Sequence, residues 1–342
     1  MDAPKLRETG GQLSSVLRSA RHASGPYLWV LRRVLFGIII LFVASLLIFV
    51  ATRALPTDPA QAILGKEATP ENLASLRQQL GLNKPLERQY LDWLGDFLRG
   101  NLGTSLASGR PVSRMLGDAV GNSLSLLFLT AVIALPLSVF LGTLTAIRRD
   151  RLLDRSLLMI SLGLTALPEF VVAMTLVILF STTVLQVLPA VALFPPGESP
   201  ILHPAEMVLP VLTLVLVVVP YLYRQVRATM IDVLESDYVT MARLKGVPEG
   251  VVSRRHALPN ALIPMVQASA LILTYLLGGI VTVEYIFSYP GLGSLLIDAI
   301  TNRDLPVIES VVLVFATGVV LFNLIADILT IYLTPRLRTE TG

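Results

Sequence analysis

The chain has 342 residues, of which 54% are hydrophobic and only 15% charged, and its formal net charge is +3. Roughly a quarter of the residues in an ordinary soluble domain are charged, so this composition excludes a conventional soluble protein. Cysteine is absent, which excludes disulfides and thiolate metal sites. The histidines are too scattered along the chain to give metal-ligand spacing: His22, His203 and His256.

Apolar windows with almost no charge recur six times along the chain. A membrane-spanning helix needs about 20 mostly apolar residues, and each window approaches or exceeds that length. We therefore predict an all-α polytopic membrane protein with six transmembrane helices. The predicted spans are residues 34–53, 119–147, 156–185, 207–223, 261–283 and 307–332.

Basic residues predict how the spans are oriented. Residues 1–33 form a polar N-terminal extension with six Lys or Arg residues, whereas the short loops 186–206 and 284–306 hold one between them. Lys and Arg favour the cytoplasmic side, so we expect both termini, including the tail 333–342, to be cytoplasmic. A signal peptide is the alternative for the N-terminus, but the 34–53 run exceeds the usual apolar core of roughly 7–15 residues.

Residues 54–118 are expected to form a small extracytoplasmic subdomain. Thr69 can cap a first helix that Gly81 ends, and a second helix is predicted from Pro85 to Leu98 with aromatic residues at helical spacing. We favour a packed cap for this segment over a direct solute-binding role.

Isolated polar residues within the spans are candidates for a translocation path. Pro168 should kink the third span, and Glu169 follows it near mid-membrane. Glu169 could meet a substrate amine, or it could be a protonated or hydrogen-bonded residue that stabilises the kink. Glu284 and Tyr285 could line a gate at the outer boundary, although aromatic anchoring explains Tyr285 equally well. Asn323 is a candidate for the same path and an expected interhelical hydrogen bonder.

Residues 224–260, here called the charged segment, lie between two apolar spans. Six basic and four acidic residues occur between positions 224 and 256. A short helix is predicted over Asp237–Lys245, with Ser236 or Asp237 as its cap and Gly246 as its left-handed stop. Pro248 is expected to open a second short helix with a basic end. The segment should be a rigid surface for a soluble partner rather than a merely solvated loop.

The charged segment resembles the loop called EAA in binding-protein-dependent ABC transporter permeases. That pattern is Glu-Ala-Ala, three residues, Gly, nine residues, Ile, one residue and Leu-Pro. The same places hold Thr240-Met241-Ala242, Gly246, His256 and Leu258-Pro259, so the first Glu, the first Ala and the Ile are replaced. Met241 and Leu244 also depart from the small residues of the family.

Further motifs resemble the B-type subunit of the dipeptide, oligopeptide and nickel branch of these permeases, between about residues 32 and 338. They are Leu55-Pro56-Thr57-Asp58-Pro59, Leu80-Gly81-Leu82, Gly109-Arg110-Pro111-Val112 and Pro290-Gly291-Leu292-Gly293. The resemblance implies the type I ABC importer permease fold in a bacterial cytoplasmic (inner) membrane.

The resemblance also implies a heteromeric importer. Its other parts would be a second, C-type permease subunit, two cytoplasmic ATPase domains and an extracytoplasmic solute-binding protein. ATP and Mg would bind to the ATPases, because this chain has no Gly-x-x-x-x-Gly-Lys-Ser/Thr loop. We expect this chain to bind no cofactor, to catalyse no reaction and to bind no nucleic acid. The residues implied to dock the ATPase are Asp237, Tyr238, Ala242, Arg243, Lys245, Gly246, Arg254 and His256.

The expected solute is a dipeptide or an oligopeptide. Nickel complexes or another small solute carried by the same machinery are the alternative. A self-sufficient secondary transporter would need coupling-ion groups within the spans, where only Glu169 is well placed, and no inverted repeat is visible. A membrane enzyme would need a catalytic or metal-binding constellation that the sequence lacks.

Overall fold

The computed structural model of the protein describes residues 26–54, 60, 69–79, 81–195 and 197–333. These residues are almost entirely helical, which confirms the all-α prediction. The helices are α1 Pro26–Arg53, α2 Pro70–Gln79, α3 Leu86–Leu98, α4 Val112–Ile147, α5 Leu152–Thr165, α6 Glu169–Val177, α7 Pro204–Leu234, α8 Asp237–Leu244, α9 Leu258–Ile286, α10 Leu292–Thr301 and α11 Leu305–Leu333.

Three predicted features fall outside the described residues. They are most of the N-terminal extension, up to residue 25, the Leu55–Pro59 motif, and the C-terminal tail from residue 334 onwards.

Long apolar helices overlap the predicted spans. Four of them, α1, α4, α7 and α11, are long and apolar enough to cross a membrane, and the bent pair α5 and α6 could supply a fifth span. Helix α9 overlaps the predicted span 261–283 and has 29 residues, or about 43 Å of helix at about 1.5 Å per residue. The count of six spans and their orientation remain predictions.

Helix α7 is central to the packing, because α4, α5, α6 and α9 all contact it. The main core lies between these helices and contains buried aliphatic side chains such as Leu126, Leu214 and Ile280. Gly142 of α4 permits the close approach of α7, since a β-carbon at this position would lie 2.7 Å from the Val226 side chain. Close helix packing through small residues is typical of membrane proteins.

The third predicted span is broken rather than merely kinked. Helix α5 ends at Thr165 and α6 begins at Glu169, and the axes of the two halves differ by 102°. Pro168 lacks the N–H that a continuous helix requires and adopts an extended conformation, with φ −61° and ψ 150°. A π-helical turn, Ile178–Thr182, continues α6. The kink predicted at Pro168 is confirmed, and the bend is large.

The predicted extracytoplasmic subdomain contains the two expected helices. The Thr69 hydroxyl accepts a hydrogen bond from the Asn72 N–H at 3.3 Å, and Gly81 ends α2 with a φ of +65°. Helix α3 packs against α1, where the Tyr90 and Ser45 hydroxyls are 2.7 Å apart and the Tyr90 ring contacts Phe49. Helix α3 therefore rests on the first apolar helix, whereas most of the described side chains of α2 are exposed.

Candidate functional site

The charged segment folds as a compact unit at the end of α7. Val239 of α8 is fully buried and belongs to a small core with Met230 and Leu234 of α7 and with Val252 and Ala257. This core joins the end of α7, helix α8 and the start of α9. The prediction of a rigid surface is consistent with this packing, because a solvated loop would have no core of its own.

Gly246 ends α8 as its position predicts. Its φ is +77°, and the Val247 N–H donates to the Ala242 carbonyl at 3.2 Å while the Gly246 N–H donates to the Arg243 carbonyl at 2.9 Å. These two bonds form a Schellman motif, which needs a left-handed residue at this place. Glycine adopts that conformation without the steric penalty of a β-carbon.

Other details of the charged segment differ from the predictions. Ser236 occupies the N-cap position of α8, but its hydroxyl donates to the Val233 carbonyl at 2.5 Å and makes no capping bond. The predicted second helix is one α-helical turn, Glu249–Val251, followed by a π-helical turn, Val252–Ala257, that leads directly into α9. The charged segment is therefore continuous with a long apolar helix.

Two predicted docking residues brace the segment internally. The Arg243 guanidinium donates to the Glu249 carboxylate from Nε and Nη2, at 3.1 and 2.6 Å, and to the Leu234 carbonyl from Nη1, at 3.0 Å. The Glu249 hydrogen bond raises the pKa of Arg243, and the Arg243 guanidinium lowers the pKa of Glu249. Tyr238 accepts a hydrogen bond from the Asn260 amide at 3.0 Å. These bonds hold α8 against the following turns.

An exposed apolar face on α8 was missed by the sequence reasoning, which treated Met241 and Leu244 only as departures from the family. Tyr238, Met241 and Leu244 have 47%, 54% and 76% of their surfaces exposed. Residues three positions apart lie on one side of a helix, so the three side chains form one stripe. Their spacing indicates a shared side of α8 but does not show whether that side is exposed. Ala242 of the same helix is half-buried.

The remaining predicted docking residues surround this stripe or lie on the following turn. Asp237 and Lys245 are exposed at the two ends of α8. Arg254 lines a groove of about 430 Å³ together with Arg255, Pro248, Gly250 and Val251. His256 is half-buried. The charged segment thus presents an apolar stripe and a basic groove.

Ion pairs connect the charged segment to the broken span. Asp154 of α5 accepts two hydrogen bonds from the Arg227 guanidinium of α7, at 2.6 and 2.7 Å, and one from the Asp150 N–H at 3.0 Å. The Asp154 side chain is only 2% exposed. Arg149 also pairs with Glu235. A movement of the end of α7 should therefore carry α5 with it.

Glu169 begins α6, directly after the break in the third span. Its carboxylate is half-buried and accepts a hydrogen bond from the Tyr275 hydroxyl of α9. Gly279, one turn further along α9, gives the carboxylate room, because a β-carbon there would lie 2.9 Å from Glu169 Oε1. Tyr275 in turn packs near Tyr221 of α7, with ring centroids 6.5 Å apart.

The structure corrects the expectation that Glu284 lines a gate. Its side chain is fully buried and accepts hydrogen bonds from the Ser123 hydroxyl at 2.5 Å and from the Gly293 N–H at 2.6 Å. A β-carbon on Gly291 would overlap the carboxylate. Glu284 therefore fixes the turn between α9 and α10 against α4, whereas its neighbour Tyr285 is exposed.

Two further polar residues of the apolar helices make interhelical contacts. Asn323 of α11 donates to the Thr274 hydroxyl of α9 at 3.2 Å, which confirms its role as an interhelical hydrogen bonder. Asp327 forms an ion pair with Arg33 of α1 at 3.1 Å. Among the described residues, no group of three His, Asp or Glu side chains could hold a metal ion.

Comparison with known families agrees with this architecture. Residues 138–339 match the family described as binding-protein-dependent transport system inner membrane component. Residues 27–132 match the N-terminal part of such a membrane component. The chain belongs to this family. It is a multi-pass inner-membrane permease component of a binding-protein-dependent ABC transport system.

Relatives of this permease family match along nearly their whole length. A protein of Brucella abortus, provisionally named a peptide transport system permease protein, is 36% identical over 311 residues, which cover 91% of this chain and 99% of that protein. The glutathione transport system permease protein GsiC of Escherichia coli K12 is 37% identical over 310 residues, which cover 91% of this chain and 98% of GsiC.

Proposed function

We propose that this permease imports peptides and that its charged segment docks on a cytoplasmic ATPase. The observation that carries the docking proposal is the exposed stripe of Tyr238, Met241 and Leu244 on α8. Large apolar side chains are grouped on a solvent-exposed helix that internal hydrogen bonds hold in place. Such a group favours contact with another protein over contact with solvent. The basic groove beside Arg254 supplies the polar rim that protein interfaces commonly have.

The same arrangement supports a mechanical role for the segment. The turns after α8 continue into α9 without a break, and the Asp154–Arg227 ion pair ties α7 to α5. Closure of a docked ATPase would displace the small core around Val239, and these two connections would carry the movement into the spans. ATP and Mg would remain on the ATPase, and this chain would be non-catalytic.

The proposed assembly contains a second permease subunit, two ATPase domains and an extracytoplasmic solute-binding protein. Peptides are the favoured solutes because relatives of similar length carry names that refer to peptide or glutathione transport. Nickel complexes or another small solute remain the second candidate, since the binding protein would select the solute before it reaches the spans.

Reconstitution into proteoliposomes tests the proposal. The complete assembly should accumulate a labelled dipeptide only when ATP and the binding protein are present, and omission of this chain should abolish uptake. Accumulation of a labelled nickel complex in place of the dipeptide would support the second candidate. Uptake by the purified chain alone, without ATP, would contradict the importer assignment and favour a secondary transporter.

A further inference from the structure

A strip of polar side chains lies deep within the apolar helices. We call Glu169, Tyr221 and Tyr275 the polar strip. Tyr275 lies 11 residues before the end of α9 at Ile286 and 17 residues after its start at Leu258. At about 1.5 Å per residue these separations are about 16 and 26 Å, so the strip lies far from both ends of the helix.

The described residues leave much of the polar strip uncovered. Tyr221 and Tyr275 have 43% and 52% of their surfaces exposed, and Glu169 is half-buried. Arg224 extends the strip along α7, where its guanidinium lies 5.4 Å from the centre of the Tyr221 ring. The strip therefore forms a continuous polar surface shared by α6, α7 and α9.

Lipid is an unfavourable neighbour for this surface. A charged side chain at the centre of a bilayer is energetically costly and usually faces protein or water. The break beside Glu169 adds irregular backbone, and such backbone occurs at membrane depth only where protein covers it or where it lines a water-filled cavity. The polar strip must therefore face another subunit or an aqueous path.

Of these two neighbours, the free hydrogen-bonding capacity of Glu169 favours the aqueous path over another subunit. Within the described parts of the chain, no Lys or Arg forms an ion pair with its carboxylate, and its hydrogen-bond partner on α9 is the neutral phenol of Tyr275. A carboxylate has about four acceptor sites, so one phenol leaves room for a cation. A passing ammonium group could supply the missing positive charge and bind to the carboxylate through strong charge-assisted hydrogen bonds.

We propose that the polar strip lines the translocation path and that Glu169, oriented by Tyr275, binds the ammonium group of a solute in transit. This inference rests on the proposed importer function and adds a chemical class: solutes that carry a free primary ammonium group, such as peptides with an unblocked amino terminus. Glu169 would act as a specificity-determining residue within the membrane.

Thiol labelling tests the inference without relying on transport. The chain has no cysteine, so a Tyr275→Cys variant in the assembled importer provides a single thiol on this chain. Its labelling by a cationic trimethylammonium methanethiosulfonate and by an anionic sulfonate analogue would be measured by mass, each rate relative to that of a free thiol. We expect both reagents to react and the cationic one to be favoured roughly five- to tenfold by the nearby carboxylate.

Two control variants show whether the labelling depends on the polar strip and on the Glu169 carboxylate. Ile40→Cys places a thiol near the middle of the apolar α1 at a position of similar exposure, 56% against 52%, and should resist both reagents. Adding Glu169→Gln to the Tyr275→Cys variant should leave the thiol reactive but remove the preference for the cationic reagent.

Each outcome bears on a different part of the inference. If Tyr275→Cys is as unreactive as Ile40→Cys, the strip does not line a path. If the thiol reacts but Glu169→Gln leaves the preference unchanged, the ammonium site is wrong although the path remains. Neither failure affects the importer assignment, because ATP-driven dipeptide uptake by the wild-type assembly tests that assignment separately.

Discussion

Replacement of Gly246 by valine tests whether the charged segment needs a residue in the left-handed conformation at this position. The residue adopts a φ of +77°, and a β-carbon built on it would meet no atom within 4 Å. The substitution therefore creates no clash with a neighbouring element. Its cost arises from the backbone, because an L-residue with a β-carbon is disfavoured in the left-handed region.

That cost is about 1–2 kcal/mol for an ordinary residue, and a branched β-carbon should place valine at the upper end. A change of this size lowers the equilibrium constant for forming the native turn by a factor of about 5 to 30. The two Schellman hydrogen bonds to the Ala242 and Arg243 carbonyls would weaken with it. Gly246→Asn is the matched control, since asparagine adopts the left-handed conformation more readily.

Copurification of the ATPase with each variant measures the effect. We expect Gly246→Val to reach the membrane in normal amounts but to retain several-fold less ATPase and to lose coupled uptake, whereas Gly246→Asn should behave nearly as the wild type. Wild-type ATPase retention and uptake by the valine variant would refute the requirement for a left-handed stop at this position.

Further predictions concern the contacts around the charged segment. Asp154→Ala leaves the Arg227 guanidinium without its carboxylate and should destabilise the detergent-solubilised protein by about 3 kcal/mol. This is the low end of the range for a broken buried ion pair, because Arg227 is partly exposed. An unchanged unfolding midpoint would contradict this prediction. Leu244→Asp should reduce ATPase retention without affecting stability, because the side chain is exposed; a fall in stability would indicate a structural role instead. The depressed pKa of Glu249 means that its bond to Arg243 contributes above its ordinary pKa of about 4.5 and is lost as the pH falls through the lowered value. The protection of the segment's amides, measured as the intrinsic exchange rate divided by the observed rate at each pH, should therefore fall in acid, and Glu249→Gln should remove that pH dependence.

Features determined by neighbouring residues were predictable from the sequence. The end of α8 at Gly246 and the break at Pro168 each depend on the backbone chemistry of that single residue. The cap at Thr69 likewise needs only a hydroxyl at the start of a helix. The helical content followed from long apolar runs, which leave few other structures possible within a membrane.

Features that depend on distant contacts were not predictable in the same way. Glu284 looked like a gate residue because it follows an apolar run, yet its hydrogen-bond partner Ser123 is 161 positions away. The Asp154–Arg227 pair joins residues 73 positions apart. The exposure of Leu244 depends on which side of α8 packs against α7 and α9, and a helix of eight residues contains too few apolar positions to indicate that side.

Photocrosslinking from α8 tests most directly whether the charged segment contacts the ATPase. A photoreactive amino acid would replace Leu244 in the assembled importer, and the same amino acid would replace Leu98 of α3 as a control of equal exposure, 76% against 77%. We expect an adduct with the ATPase from position 244 and none from position 98. The absence of an adduct from position 244, or equal adducts from both positions, would contradict it.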